Sequence, residues 1–197
     1  PEEIKEYLQL ILQDVNNANN IITNLLEFSK PRTMTLEKGD ILEVIEEACQ
    51  FVQPVCLNNN ITVKKSIPSR LPRINLDKKW LIQAFINFLT NAIQAMEEGG
   101  VITIELKHNQ AHKLLEISFT DNGPGIPQKH LEHIFEPFFT TRESGIGLGL
   151  NIVQKIIEGH HGTIQIYSTP GRSTTIKVNL PAGARPTFNH NLLVLPL

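Results

Sequence analysis

At 197 residues the chain is long enough for one domain with a substantial buried core, and 41% hydrophobic against 19% charged residues excludes a disordered or low-complexity protein. A formal net charge of −2 offers no pull toward nucleic acid or an anionic membrane, and no apolar run reaches the roughly 18 residues of a span, so neither contact is expected. The two cysteines, Cys49 and Cys56, fall on one predicted helix about 10 Å apart, too far to bridge, which points to reduced thiols and a cytoplasmic setting, either free or as the cytoplasmic part of a membrane-anchored parent.

Residues 2 to 30 predict a helix. Ile4, Ile11, Ala18 and Leu25 occupy one heptad position and Leu8, Val15 and Ile22 the other, an unbroken seven-residue repeat widened by Tyr7, Ile21, Leu26 and Phe28. A stripe this broad belongs in a bundle, and with no hairpin partner in the chain it calls for cover from elsewhere or from a second copy. The alternative is a helix folded back on its own domain. Lys30-Pro31 ends it, since proline lacks the amide donor and drives the preceding residue out of the helical region.

An extended linker over 32–39 leads to Asp40, which caps a second helix with Glu43 as its capping-box partner. Val44, Ile45, Ala48, Val52 and Val55 form the inward face, and Pro54 implies a kink or an early end. Ile61 to Ile67 alternates as a strand, Pro68 to Pro72 turns, and Arg73 to Leu76 is a short strand. Asp77 then caps a third helix to about Glu97, burying Leu81, Ala84, Phe85, Phe88, Leu89, Ala92, Ile93 and Met96. Asn87 and Asn91 stack on the border of that face. Asparagine prefers caps and turns, so a stacked pair inside a helix either satisfies nearby backbone or aims two neutral oxygens at a hard cation or phosphates.

Gly99-Gly100 breaks the helix, and Val101 to Lys107 and Leu114 to Thr120 predict a hairpin turning near Asn109-Gln110. Directly after the second strand comes Asp121-Asn-Gly123-Pro-Gly125. A short helix over Gln128 to Ile134 follows, then Phe135-Glu-Pro-Phe138-Phe139 and Gly145-Ile-Gly147-Leu-Gly149, opening a helix over Ile146 to His160. Thr163 to Ser168 and Thr174 to Leu180 are strands around a Pro170-Gly171 turn, and 182–197 carries no assignable element. Two glycine clusters allow a loop to lay its N–H groups against a ligand, and the aspartate can accept from a buried amino group. Adenine with its triphosphate suits that division of labour. The second cluster is neither a Rossmann nor a Walker loop, because no strand precedes it and no Gly-Lys-Ser/Thr follows. The element order predicts an α+β fold, a mixed sheet of about five strands backed by three helices in a two-layer sandwich, with the glycine loops on its open side.

In order and spacing, the asparagine stretch Asn87-Phe-Leu-Thr-Asn91-Ala-Ile-Gln-Ala-Met96 and the three motifs after it resemble the catalytic ATP-binding domain of bacterial sensor histidine kinases, within the wider group of gyrase, chaperone and mismatch-repair ATPases. The resemblance covers about 40–181, and the ending Leu26-Glu-Phe28-Ser-Lys30-Pro31 makes 1–31 similar to the second helix of the dimerisation and phosphotransfer hairpin. It implies ATP and Mg²⁺ as cofactors, a response-regulator receiver domain as partner, and a homodimer through the N-terminal helix. Asp121 would bind the adenine amino group, directly and through water, with Gly123, Gly125 and Ile126 shaping the wall. Asn91 would be the magnesium ligand with Asn87 beside it. Phe139, Thr141, Arg142, Gly145, Gly147, Leu148 and Gly149 would form a lid over the phosphates, and Thr174 or Thr175 would stand near the adenine.

Two departures stand out. Gln94 replaces a basic residue often found three positions after the second asparagine, which puts more weight on Arg142, and Ser173 replaces a turn glycine. None of the seven histidines stands in a His-Glu or His-Asp pair on a bundle helix. The phosphoacceptor is therefore expected before Pro1, and the chain is expected not to phosphorylate itself. His130 and His133 lack a third metal ligand at suitable spacing. Alternatives are an ATPase of the chaperone or repair type, disfavoured because Asn87 stands where a base carboxylate is needed, an anti-sigma-type kinase, which the heptad helix does not suit, and a nucleotide-gated dimer scaffold or docking module without kinase activity.

Overall fold

The computed structural model describes residues 34–142 and 145–183, together with Ile4, Tyr7, Leu8, Ile11 and Val15, which are helical. The remainder of the predicted N-terminal helix, its Lys30-Pro31 ending and 184–197 lie outside the described residues. In chain order the elements are β1 (Glu37–Gly39), α1 (Ile41–Asn58), β2 (Ile61–Ser66), β3 (Ile74–Leu76), α2 (Lys78–Ala95), β4 (Gly100–Asn109), β5 (Leu114–Asp121), α3 (Gln128–Leu131), α4 (Gly149–Gly159), β6 (Thr163–Thr169) and β7 (Ser173–Pro181).

Period-two alternation decides the sheet. Leu115, Ile117 and Phe119 of β5, Ile102, Ile104 and Leu106 of β4, and Ile176, Val178 and Leu180 of β7 share one buried parity, while the intervening polar residues stay partly wet. The strands pair in the order β2-β4-β5-β7-β6, with β2–β4 parallel and the other pairs antiparallel. This is the expected mixed five-stranded sheet with α1, α2 and α4 contributing to its core, an α+β sandwich. The predicted linker also holds β1, which pairs antiparallel with β3 in a separate small sheet.

Four local expectations change. Helix α1 runs through Pro54 to Asn58, because Pro54 lies on its exposed side and Val52 and Cys56 keep the inner face packed on either side of it. Val55 is 46% exposed, and that inner face is completed by Cys49 and Cys56, both free thiols. The Asp40 side chain does cap α1, accepting from Leu42 N–H at 2.9 Å, but Glu43 turns to Lys78 Nζ at 2.9 Å instead of closing a capping box. Helix α3 stops at Leu131 and continues as tight turns, His133 N–H to His130 O at 3.0 Å and Glu136 N–H to His133 O at 2.8 Å.

Two contacts set α2 against the rest. Phe85 and Phe88 pack their rings on Phe119 of β5 at centroid distances of 5.0 and 5.3 Å, locking the asparagine-bearing helix to the strand that ends in Asp121. At the start of α2, where Asp77 accepts from Trp80 N–H at 3.3 Å, the Asp77 N–H donates to His160 Nε2 at 2.8 Å. His160 Nδ1–H donates in turn to Ile156 O at 2.7 Å, so the end of α4 is pinned to the start of α2.

Candidate functional site

Along β5 the inward positions read Leu115, Ile117, Phe119, Asp121, so the strand ends by turning a carboxylate into the core layer. Asp121 is 8% exposed, and burial pushes its pKa above the ordinary carboxylate value against the opposing pull of the Gly123 and Thr174 backbone. Its Oδ1 accepts from Gly123 N–H at 2.9 Å. Gly125 has φ +69°, and a Cβ there would strike the Thr169 carbonyl, so only glycine lets the loop lie on the β6–β7 turn. That turn answers with Gly171 N–H donating to Pro124 O at 2.6 Å.

Ser168 organises the same corner. Its hydroxyl donates to Ser173 O at 2.9 Å, accepts from Ile126 N–H at 2.7 Å, and lies 3.1 Å from Thr174 Oγ1. Thr174 faces inward opposite Asp121, whereas Thr175 faces outward and meets Thr120 Oγ1 at 3.0 Å, so of the two threonines Thr174 belongs to this corner.

On α2, Asn91 Nδ2 donates to Asn87 Oδ1 at 3.0 Å. That bond occupies the Asn87 carbonyl and orients the Asn91 amide so that its own oxygen is turned toward the Arg142 guanidinium, 3.5 Å from Nη1. The first turn of α4 sits directly on this pair: a Cβ on Gly149 would come within 2.6 Å of Asn87 Nδ2. Leu148 makes no side-chain cap, so the first N–H groups of the 11-residue α4 have no partner within the helix. Gly147, at φ +72°, cannot extend the helix backward and accepts from Phe138 N–H at 2.9 Å, which is why α4 begins at Gly149 and not at Ile146.

Between these walls is a cavity of about 650 Å³. Asn87, Asn91, Asp121, Gly125, Ile126, Phe139, Thr141, Arg142, Gly145, Gly147, Leu148, Gly149 and Thr174 all line it. Gly123 does not, since it lies behind the surface with its N–H on Asp121. Phe139 is held between the rings of His130 and His133, each with its centroid 5.7 Å away. Arg142 lies against the end of α2, where burial draws its pKa down from the ordinary arginine value.

Sequence reasoning passed over Ser168, Asn151, and the strand floor of Ile166 and Ile176. Ser168 had a legible signal, a hydroxyl at the inward parity set by Ile164 and Ile166. Asn151, which donates from Nδ2 to Phe135 O at 3.0 Å and so ties α4 to the segment after α3, had none beyond being polar in a helix's first turn. Among the described residues no cluster of three His, Cys, Asp or Glu could hold a metal; the available donor is amide oxygen, which suits a hard divalent cation that keeps water or phosphate as its other ligands.

Residues 76–184 match the family model described as histidine kinase-, DNA gyrase B- and HSP90-like ATPase. The signal transduction histidine-protein kinase AtoS of Escherichia coli K12 is 36% identical over 178 residues, which is 90% of this chain and 29% of AtoS. The chain thus spans well under half the length of that relative. The catalytic domain of histidine kinase ThkA, nucleotide-free, superposes with a TM-score of 0.68 at 31% identity over 76% of this chain and 97% of that one. A structure of ThkA in complex with response regulator protein TrrA gives 0.74 at 29% identity, covering 94% of this chain and 54% of that one.

Proposed function

The chain belongs to the histidine kinase-, DNA gyrase B- and HSP90-like ATPase family, and on that premise we propose that it is the ATP-binding catalytic region of a sensor histidine kinase, passing the γ-phosphoryl group of Mg-ATP to a histidine outside this chain. One observation carries the reading: a single cavity joins a buried carboxylate, a stacked asparagine pair and the uncapped start of α4.

Asp121 accepts from the adenine amino group, because its buried oxygen is fixed by Gly123 and favours a donor that water cannot replace. Thr174, oriented by Ser168, lies on the same rim. At the other end the α4 N–H groups and Arg142 face the phosphates, where aligned donors and the helix dipole favour negative charge. Asn91 supplies the oxygen for Mg²⁺ and Asn87 holds that amide in orientation. When bound, the ion would neutralise phosphate oxygens, which would ease in-line attack of the imidazole nitrogen on the γ-phosphorus as the bond to the bridging oxygen breaks and ADP leaves. An imidazole lone pair is already nucleophilic, so positioning and charge neutralisation suffice and no strong base is needed.

The onward acceptor is an aspartate of a response-regulator receiver domain, a reading supported by the ThkA complex with its regulator. The heptad stripe supports a homodimer in the full-length protein, and the setting is cytoplasmic, without nucleic acid or direct membrane contact from this chain. No helix among the described residues is long and apolar enough to cross a membrane. That the relatives are named as kinases speaks against a docking module without activity. The test is binding of trinitrophenyl-ATP with Mg²⁺: the parent chain should bind, and Asn91→Ala should lose the Mg²⁺-dependent part of that affinity. A parent that ignores the analogue would end the proposal.

A further inference from the structure

Helix α2 has no basic residue in its last turn, although its carbonyl end is where the helix dipole favours a cation. That charge comes instead from another segment. Arg142 donates from Nη2 to Asn91 O at 3.0 Å, lies with Nη1 3.5 Å from Asn91 Oδ1, and donates from Nη1 to Gln94 Oε1. Gln94 is exposed and lines the same cavity as Asn91 and Arg142. Its neutral amide oxygen can hold a guanidinium without cancelling its charge, whereas a carboxylate at the same place would pair with the arginine and compete with any phosphate.

We propose that Gln94 is a positioning residue for phosphate binding: it fixes the Arg142 guanidinium beside Asn91, so that the triphosphate meets a cation already in place at the end of α2. This rests on the Mg-ATP reading of the cavity. Two readouts separate the two ideas, the dissociation constant for trinitrophenyl-ATP with Mg²⁺, and the rate at which trypsin cuts after Arg142 without nucleotide, since the protease must take that side chain into its own pocket.

Gln94→Ala should weaken binding roughly fivefold and speed cleavage after Arg142. Arg142→Ala should weaken binding at least as much, and the double variant should be no worse than Arg142→Ala alone. Gln94→Glu should slow cleavage yet still weaken binding, and Gln94→Lys placed in the Arg142→Ala background should restore part of the lost affinity by putting an ammonium where the guanidinium was. A parent that binds the analogue while Gln94→Ala behaves identically in both readouts would overturn the role of Gln94 and leave the pocket reading intact. Fully additive losses would overturn it as well. A parent that does not bind removes the ATP reading and this proposal with it.

Discussion

Asp121 is placed against its own interest. A carboxylate at the inward parity of β5 is desolvated, and the raised pKa records that cost, only partly offset by backbone donors. A ligand donor is the missing compensation, so Asp121→Ala should lower affinity for trinitrophenyl-ATP by about ten- to a hundredfold while far-ultraviolet circular dichroism stays that of the parent. Unchanged affinity would remove the carboxylate from the site. Glycines give a second test at this scale. Gly125 and Gly171 share positive φ, +69° and +76°, but a Cβ on Gly125 would meet the Thr169 backbone and one on Gly171 would meet nothing within 4 Å. Both alanine variants should lose about 1 kcal/mol for the left-handed backbone, and Gly125→Ala should lose clearly more in urea unfolding. Equal losses would show that the close approach of the two loops is not real.

Within elements, proline and histidine make opposite contributions. Pro54 interrupts the bonding of α1 on its exposed side, yet the helix continues to Asn58. Pro54→Ala should therefore stabilise the chain by about 1–2 kcal/mol, less than the full helix-interior penalty because the unfolded chain also gains freedom. A lower melting midpoint would contradict this. His160 joins α4 to α2 only as the neutral ring, with Nδ1 donating and Nε2 accepting, and burial holds its pKa below 6.5. The unfolded chain therefore binds a proton that the folded chain refuses. The contribution of His160 is complete above about pH 6.5 and is lost as pH falls through the depressed folded value. His133, raised by its Glu136 partner, has the opposite sign, stabilising at low pH and fading as pH rises. Comparing melting midpoints of the parent and His160→Asn between pH 7.5 and 5 isolates the first: the acid-side fall should flatten in the variant. Parallel curves would show that His160 is not the titrating joint.

For the molecule as a whole, the described heptad residues Ile4, Leu8, Ile11 and Val15 are 65, 55, 57 and 57% exposed, an apolar stripe that asks for a partner. The cavity, by contrast, is lined among the described residues by positions between Asn87 and Ile176. Leu8→Ser with Ile11→Ser should weaken self-association in sedimentation while leaving affinity for trinitrophenyl-ATP within about twofold of the parent, as expected for sites that share no residue. Loss of both together would tie the stripe to the pocket. Incubated with radiolabelled Mg-ATP, the chain should retain no acid-labile phosphohistidine, because none of its seven histidines is immediately followed by a carboxylate. Label on any of them would overturn the assignment of the acceptor to another segment.

The amino-acid sequence alone determined the sheet and most of the pocket. Parity in β4, β5 and β7, aspartate caps and stacked amides, and glycines needed at positive φ are local requirements, and each leaves its mark within a few residues of where it acts. Tertiary structure alone decided what depends on meeting distant neighbours. Pro54 stays helical because Val52 and Cys56 are packed around it, and Thr174, not Thr175, faces the pocket because the β5–β7 register places it opposite Asp121. The sequence shows the inward parity of Ser168 but not its partner, and the contacts of Ser168, His160 and Gln94 reach 42, 83 and 48 positions away, where no local pattern encodes bonds whose free energy appears only once the chain has closed those loops.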